Sequence, residues 1–459
     1  MEQQPRLPLW FLVANLALIA IAFALGLQFG GRSTADLPAE QLTALAVVHR
    51  EILLSHVDPQ DAAALLENAI QGMVRGLDPY SRYVPPADVA SYEEDNTGHY
   101  EGIGADFATH GEQVVLHFPL AGGPAERAGL RPGDVLLAVN DTALDTAEQR
   151  ARVIELVRGP RDQTVRLRLR RDGKLLEVTL QRGDVQRPCV KWAHALDAPS
   201  GLGYVHLTDF HPGASLQLIA AIDALSQRGP LRGLVLDLRW NSGGSLDECV
   251  AIARAFLPSG LIVLQQRRGS EEVERHEATP EQCRFPTLPL VVLVNESSAS
   301  ASEVLAGALQ DHERAAIVGQ RTHGKAYVNT VYTWKNLAFR LKLTTGKYRT
   351  PKGRDIERNH KASSAEAAQS GGIAPDVVVA PTAEQQASVL KTLRQSEPPA
   401  AYREAFTVVA AQYGVTVPAP PTVGVDPQLA AALAALHTRT TASNSTTTSP
   451  NGHEPGKDK

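Results

Sequence analysis

The stretch that most constrains the fold is residues 288–320, LPLVVLVNESSASASEVLAGALQDHERAAIVGQ. It opens on a run rich in Val and Leu, Leu288–Val294, which predicts a buried strand. A polar turn follows, then an amphipathic helix from Ala301 to His312, and Ala315–Gly319 predicts the next strand. Strands that alternate with helices are typical of a layered α/β domain.

The turn of this stretch carries a candidate nucleophile, Ser300. A serine there lies beside a helix N-terminus, whose free N–H groups and partial positive charge suit a developing oxyanion. The alternative is structural, because Ser300 and Glu303 also fit a capping box. Ser297, Ser298 and Ser302 compete for the same role.

A serine nucleophile needs a base that takes its proton. Lys325 lies just beyond the second strand, and a lysine in a dry pocket has a lowered pKa because desolvation disfavours its charged form. The structural alternative for Lys325 is a solvated surface charge. A Ser-His-Asp triad is also open, with Asp237 and one of the histidines His312, His323 or His360.

The 459 residues allow two or three domains. Residues 187–382 predict the largest, a mixed α/β (α+β) core. In it the apolar run Gly233–Arg239 predicts a buried strand, Asn241–Gly244 a turn and Leu246–Phe256 a helix. The turn that carries Ser300 and the turn Asn241–Gly244 both follow apolar strands, and α/β proteins place their functional residues at the ends of such strands.

Residues 98–186 change to short strands separated by Gly/Pro turns, with a helix predicted over Thr146–Val157. The glycine-containing loop before the first strand, the segment AERAGLRPGD and the strand after it together resemble a PDZ domain. The resemblance implies a groove that takes a peptide C-terminus by strand addition. It also implies that loop N–H groups hold the carboxylate; the loop residues are Gly102, Ile103, Gly104 and Ala105. The alternative is that these are ordinary turn glycines.

Both flanks of these domains have helical periodicity. Residues 36–97 predict an N-terminal helical segment that ends in a turn-rich link, Leu77–Pro86. Residues 383–437 predict a C-terminal helical segment. Residues 438–459 are rich in Thr, Ser, Asn, Pro and Gly, and they predict a disordered tail.

The N-terminus carries an uncharged run, Leu7–Gly31, that is long enough to span a bilayer. Arg6 and Arg32 flank it, and no clear signal-peptidase site follows. We therefore expect residues 1–32 to form a cytoplasmic start and a transmembrane helix, with the catalytic part extracytoplasmic, periplasmic or extracellular. A buried core helix is the alternative.

Composition excludes other classes of function. The net charge of −5 gives no basic footprint for nucleic acid. Three cysteines, Cys189, Cys249 and Cys283, have no zinc-binding spacing and their odd number argues against a disulfide framework. We expect no metal and no organic cofactor.

The motif NESSASASEVLAGALQD followed by GQRTHGKAYVN resembles the core of the C-terminal processing peptidases, or tail-specific proteases. The resemblance covers residues 40–382 and is carried further by LDPYSRY, LDLRWNSGGSLDE, LTTGKYRTPKGRDI and GGIAPDVVV, in the family's order. It implies a serine endopeptidase with a Ser/Lys dyad and an acyl-enzyme.

The resemblance also implies roles for individual residues. Ser300 falls on the nucleophile and Lys325 on the general base. The oxyanion hole would combine the N–H of Ala301 with one from Gly243 or Gly244, where glycine allows close approach without a Cβ clash. Which glycine serves is left open.

The sequence departs from the family pattern most clearly at Asn329, where a glutamine usually orients the lysine. Asparagine has the same donors and acceptors but is one methylene shorter, so the contact to Lys325 is in doubt. Two smaller departures are Ala326, where glycine is common, and a longer link at Glu357–Ser370.

As partners, the resemblance implies protein or peptide substrates with apolar C-termini, captured by a PDZ-like domain that gates the site. The membrane, a regulatory protein and a second copy of the chain are further expected partners. One rival interpretation is a membrane-anchored PDZ scaffold with an inactive protease core. Another is a crotonase-type enzyme, although nothing in the sequence suggests a coenzyme A site.

Overall fold

The computed structural model describes residues 38–197, 200–359, 370–395 and 397–446. The chain divides into two compact units, Met1–Gly76 and Leu77–Lys459, so the predicted segment 36–97 belongs to both. In the first unit, the described residues form a helical hairpin of α1, Ala39–Ser55, and α2, Ala62–Arg75.

The predicted transmembrane run, Leu7–Gly31, lies outside the residues that the structure describes. Across the residues described, we find no helix with both the length and the apolar character that crossing a membrane requires. The anchor therefore stays a prediction.

The second unit begins with β1, Arg82–Val84, a 3-10 turn at Pro86–Asp88 and helix α3, Val89–Thr97. A PDZ-like sheet follows, with strand order β3-β4-β5-β7-β8 and β6 paired with β5, while β2 and β9 form a separate ribbon. These elements are β2 His99–Gly102, β3 Ala105–His110, β4 Gln113–Pro119, α4 Pro124–Arg127, β5 Val135–Val139, β6 Thr142–Ala143, α5 Ala147–Ala151, α6 Val153–Val157, β7 Thr164–Arg171, β8 Lys174–Gln181 and β9 Gly183–Gln186.

The predicted helix Thr146–Val157 is therefore two short helices that meet at Arg152. Thr146 begins the first with a capping box, in which its hydroxyl accepts from the Gln149 N–H. The prediction of a single helix is wrong, because periodicity alone does not detect that the backbone of Arg152, with φ −89° and ψ 6°, departs from the helical conformation.

The mixed α/β core predicted over residues 187–382 is built on a six-stranded sheet of order β10-β11-β12-β15-β16-β19. Only β10 is antiparallel to its neighbour; the other pairs are parallel. Helices cover the sheet, so its central strands are continuous apolar runs. The elements are β10 Val190–Asp197, β11 Leu202–Leu207, α7 Ala214–Gln227, β12 Gly233–Asp237, α8 Leu246–Phe256, β15 Leu290–Val294, α9 Ala301–Asp311, β16 Ala315–Gly319 and β19 Val377–Val378.

A second, antiparallel sheet contributes the other wall of the cleft described below. Its order is β1-β18-β13-β14, with β17 also paired with β18. The strands are β13 Gly260–Arg267, β14 Val273–Ala278, β17 Tyr327–Trp334 and β18 Leu337–Arg349, with a 3-10 turn at Pro280–Gln282.

The C-terminal helices divide between the two domains. Helices α10, Ala383–Arg394, and α12, Pro427–Thr446, pack on the core sheet. Between them a 3-10 turn, Ala400–Tyr402, and helix α11, Arg403–Gln412, pack on β4 and β5 of the PDZ-like domain.

Helix α12 also corrects the predicted tail. Residues 438–446 are helical, so the disordered tail predicted from residue 438 is wrong there. Asp426, just before α12, holds the fully buried guanidinium of Arg239 together with Asp237, at 2.7 and 2.6 Å. The predicted helical segment 383–437 includes the part of this helix that packs on the core, with Leu429, Ala432 and Leu436, whereas the Thr- and Ser-rich composition of residues 438–446 gives no sign that the helix continues.

Candidate active site

A cleft of about 770 Å³ opens at the carboxyl ends of β12, β15 and β16. In a parallel sheet these ends meet at one edge, so loops that are distant in sequence converge there. The cleft is lined by most of the predicted site residues: Ser300, Lys325, Asn329, Gly243 and Gly244. Its opposite wall comes from the Leu77–Pro86 link and from β17 and β18, with Tyr80, Tyr327, Lys342 and Tyr348.

Ser300 lies at the start of α9 with φ 57° and ψ −115°. A non-glycine residue with positive φ is strained, and such strain occurs often at functional turns. Its neighbours are committed elsewhere: the buried hydroxyls of Ser298 and Ser302 donate to the carbonyls of Leu238 and Asn241. Ser300 is therefore better placed for chemistry than either of these two serines.

Glu303 joins the serine turn to the lysine loop. Its buried carboxylate accepts from the N–H of Ser300 at 2.9 Å, which fits the predicted capping contact. It also accepts from Thr322 Oγ1 and from the N–H groups of Gly324 and Lys325, at 2.6, 2.6 and 2.9 Å. Burial raises the pKa of Glu303, although these hydrogen bonds oppose the rise. One side chain thus fixes both backbones of the proposed dyad.

Lys325 is mostly withdrawn from water. Desolvation and then the charge of Lys342 lower the pKa of the Lys325 amine to about 8, against the opposing fields of Glu303 and Asp78. The amine lies 4.9 Å from the ring centroid of Tyr80. Within the described part of the chain, it makes no hydrogen bond to Ser300 Oγ. The structure therefore shows a desolvated lysine amine that lines the same cleft as Ser300.

Tyr348 on β18 contacts both the Ser300 side chain and the backbone of Lys325. Its hydroxyl is 2.7 Å from the Lys325 carbonyl oxygen and 3.1 Å from Ser300 Oγ. Its backbone N–H donates to the carbonyl of Ala326 at 2.9 Å, which attaches β18 to the lysine loop. Burial raises the pKa of the Tyr348 phenol well above its usual value, so the phenol is neutral.

The glycine turn lies directly against the serine. A Cβ on Gly243 would stand 2.8 Å from Ser300 Cβ and 2.9 Å from Ala301 N, so only glycine fits. The Gly243 N–H donates to Asn241 Oδ1. Phe210 donates to the Gly243 carbonyl and accepts from the Ser245 N–H, so the Gly244 N–H points away from Phe210.

Asn329 lines the cleft, but its amide donates to Thr344 Oγ1 at 3.1 Å. Thr344 in turn donates to Asp78, which also accepts from Ser81. In the described residues, no hydrogen bond joins Asn329 to Lys325. The shorter amide of Asn329 therefore bonds to Thr344 in this structure, where the family's glutamine is expected to orient the lysine.

Two residues of the triad alternative, His312 and Asp237, have other partners in the structure. His312 bonds to the Leu261 carbonyl, and Asp237 is buried with Arg239. His323 lies in the cleft near Tyr80, at 3.5 Å from its hydroxyl, and His360 lies outside the described residues.

The predicted PDZ-like loop precedes β3, which in the described residues pairs only with β4 and so leaves one edge open. The carbonyls of Ile103 and Gly104 accept from Ala125 and Leu120. No described hydrogen bond uses the N–H of Ile103 or Gly104, and Gly104 has φ +67°. Gly102 is the last residue of β2, and Ala105 is the first residue of β3.

Cys189, Cys249 and Cys283 are free thiols. Among the described residues, no group of three or more His, Cys, Asp or Glu side chains is arranged so that it could hold a metal ion.

Comparison with known proteins assigns the family. The profile of Peptidase family S41 matches residues 201–379, and a PDZ domain profile matches residues 119–171. A carboxy-terminal-processing protease of Bartonella bacilliformis is 32% identical over 370 residues, covering 78% of this chain and 80% of the relative. The carboxy-terminal processing protease CtpA of Bacillus subtilis is 29% identical, covering 77% of this chain and 75% of the relative.

A solved structure titled photosystem II D1 C-terminal processing protease is 32% identical, covers 75% of this chain and 94% of that chain, and has a TM-score of 0.42. The protein is a serine-type peptidase with a PDZ domain. It belongs to peptidase family S41, among the carboxy-terminal-processing proteases.

Sequence reasoning missed three residues of the site. The sequence indicates Glu303 only as a helix cap, and it indicates no role for Tyr80 or Tyr348 beyond their place in motifs that the family shares. For both tyrosines the signal was the family motif around them, LDPYSRY and LTTGKYRTPKGRDI. No local periodicity indicates that they face Lys325 and Ser300.

Proposed function

We propose that the protein cleaves protein chains at or near their C-termini with Ser300 as nucleophile and Lys325 as general base. The observation that carries the proposal is the shared anchor: one buried carboxylate, Glu303, holds the backbones of a strained serine and a desolvated lysine. A lysine with a lowered pKa has a neutral fraction at neutral pH, which a general base requires.

The reaction is a standard acyl transfer. Neutral Lys325 takes the Ser300 proton as Oγ bonds to the substrate carbonyl carbon, whose π electrons move to oxygen. Collapse breaks the C–N bond, and the leaving amine takes the proton from the Lys325 ammonium. Water then gives a proton to Lys325 and attacks the ester, and Ser300 leaves with that proton.

For the oxyanion we propose the N–H groups of Ala301 and Gly244. The Ala301 N–H is the first of α9, is not used in any described hydrogen bond, and lies at the positive end of the helix dipole. The Gly243 N–H is already bonded to Asn241, which favours Gly244 as donor and leaves Gly243 to supply room.

For substrate recognition we propose that the open edge of β3 adds the substrate's apolar tail as a further strand. The unused N–H groups of Ile103 and Gly104 then hold the terminal carboxylate, with Gly102 and Ala105 shaping the loop. Tail binding at this domain gates access to the site.

The membrane anchor is also a proposal. The uncharged run Leu7–Gly31 would tether the catalytic part on the extracytoplasmic side. Carbonate extraction and protease protection of the full chain test it: release from membranes by carbonate, or a catalytic part that is protected with the cytoplasm, contradicts it. A second copy of the chain or a regulatory protein remains a proposed partner, to be tested by light scattering.

The test of the activity compares the full chain with Ser300→Ala and Lys325→Ala on an unfolded protein with an apolar C-terminus. We expect both variants to lose at least about 10⁴-fold in kcat/KM, since a nucleophile and its base act as a unit. Cleavage that survives Lys325→Ala but not His323→Ala would overturn the dyad in favour of a histidine base. Tight binding of the tail without any cleavage would support an inactive scaffold instead.

A further inference from the structure

Tyr348 lies within hydrogen-bond distance of both members of the proposed dyad, and nothing in the proposed reaction uses it. The following inference rests on the Ser300/Lys325 mechanism proposed above and adds a residue to it.

The protons around Tyr348 can be counted. A phenol has one proton, and the Lys325 carbonyl oxygen at 2.7 Å can only accept. The Tyr348 proton therefore goes to that carbonyl. The 3.1 Å contact to Ser300 is then a hydrogen bond only if the Ser300 hydroxyl donates to the phenol oxygen. In this state the Ser300 proton is directed at Tyr348 and not at Lys325.

This arrangement fits a protonated Lys325. An ammonium has three donors and no lone pair, so it cannot accept the serine proton. Its position 4.9 Å from the Tyr80 ring centroid also suits a cation, because the face of an aromatic ring attracts positive charge. Once Lys325 is neutral, its lone pair competes with the phenol oxygen for the single Ser300 proton.

We propose that Tyr348 is a positioning residue of this peptidase that holds the Ser300 hydroxyl in a resting orientation and anchors the lysine loop through the Lys325 carbonyl. Ser300 exchanges this hydrogen bond for one to neutral Lys325 when the dyad forms. No bond is made or broken in the exchange, and Tyr348 stays neutral throughout.

The exchange has a direction that can be measured. The Ser300–Tyr348 hydrogen bond stabilises the state in which Lys325 is protonated, so its removal favours the neutral dyad. In Tyr348→Phe the acid limb of the kcat/KM profile therefore moves to lower pH, by about 0.5–1 unit, the equivalent of one neutral hydrogen bond. The plateau of kcat falls about tenfold, because the carbonyl of Lys325 loses its anchor and the base is held less firmly.

The experiment measures pH profiles of peptide cleavage and of Ser300 labelling by a fluorophosphonate, in the full chain. A second variant replaces Tyr348 by 3-fluorotyrosine, which keeps the shape and the donor but weakens the acceptor, so it covers a failure of Tyr348→Phe to fold. We expect its acid limb to shift in the same direction. Tyr413→Phe, which removes a phenol bonded to Gln113 on the PDZ-like domain, is the control and should leave the limb unmoved.

Acid limbs that coincide with wild type in both Tyr348 variants overturn the inference. That result is distinct from failure of the proposed mechanism, in which Lys325→Ala would keep the wild-type labelling rate and pH profile. A lower plateau without a shifted limb assigns Tyr348 a structural role only and likewise overturns the proposal.

Discussion

The cleft of the protease core and the loop of the PDZ-like domain differ in whether their backbone N–H groups are hydrogen-bonded. In the core, Glu303 accepts four hydrogen bonds that fix the serine turn and the lysine loop. In the PDZ-like domain, the N–H groups of Ile103 and Gly104 donate in no described hydrogen bond, and β3 has an open edge. The difference indicates that chemistry needs prearranged groups, whereas capture of a chain needs unsatisfied ones.

Outside the proposed dyad, the largest expected effect comes from removing the core's shared anchor with Glu303→Gln. The amide presents N–H groups where the carboxylate accepted, so the lysine loop and serine turn separate. We expect kcat/KM to fall at least about 100-fold, the scale of a 1 Å misplacement. The free energy of unfolding should fall by about 3 kcal/mol, because buried donors lose their acceptor.

Glu248→Gln is the matched control for that variant. Glu248 is also a carboxylate that accepts from two backbone N–H groups, those of Gly213 and Ser215, and neither belongs to the serine turn or the lysine loop. Chemical denaturation should show a loss of stability there, with kcat close to wild type. Equal losses of kcat in the two variants would contradict a special role for Glu303.

The pH dependence sharpens the core side of the comparison. In the proposed mechanism only neutral Lys325 accepts the serine proton, so kcat/KM should rise with pH and level off above the pKa of about 8. Each unit below that pKa removes about tenfold in rate. Profiles of kcat/KM against pH, corrected for thermal stability at each pH, measure this; a flat profile between pH 6 and 9, or a midpoint near 6.5, would point to another base.

The PDZ side is tested by removing the substrate's charge. Amidation of the tail leaves the Ile103 and Gly104 N–H groups without a carboxylate, and KM should rise about tenfold with kcat unchanged. Gly104→Ala strains a residue with φ +67°. We expect this variant to raise the KM of the substrate with a free C-terminal carboxylate, and to raise the KM of the amidated substrate much less. Equal KM values for acid and amide substrates in the wild type would show that this loop does not read the C-terminus.

The smallest expected effect concerns Asn329→Gln. The longer amide can leave Thr344 and reach Lys325, so we expect kcat/KM to rise about threefold. Asn329→Ala should remain near the wild-type rate, since the present hydrogen bond goes to Thr344 and not to the base. A loss of more than about tenfold in Asn329→Ala would instead show that Asn329 orients Lys325 during turnover.

The elements around the serine were predictable because their signals are local. The bounds of β16, Ala315–Gly319, and of α8, Leu246–Phe256, agree with the sequence prediction, and α9 ends one residue before it. Apolar periodicity and helix-start residues lie within a few positions of each other, so a short stretch of sequence contains the signals that set the bounds of a strand or helix. The order of the motifs along the chain likewise indicates the family, because it needs no knowledge of how the segments pack.

Contacts between distant segments were decided by tertiary structure alone. Tyr348 reaches Ser300 because β18 crosses the lysine loop, and Tyr80 reaches Lys325 from a link that the sequence indicates only as turn-rich. Asp426 meets Arg239 across 187 positions. Sequence by itself determined which residue types carry the chemistry and which strands and helices hold them. The tertiary structure decided which hydroxyl faces which lone pair, because that depends on how separate segments pack and not on any local pattern.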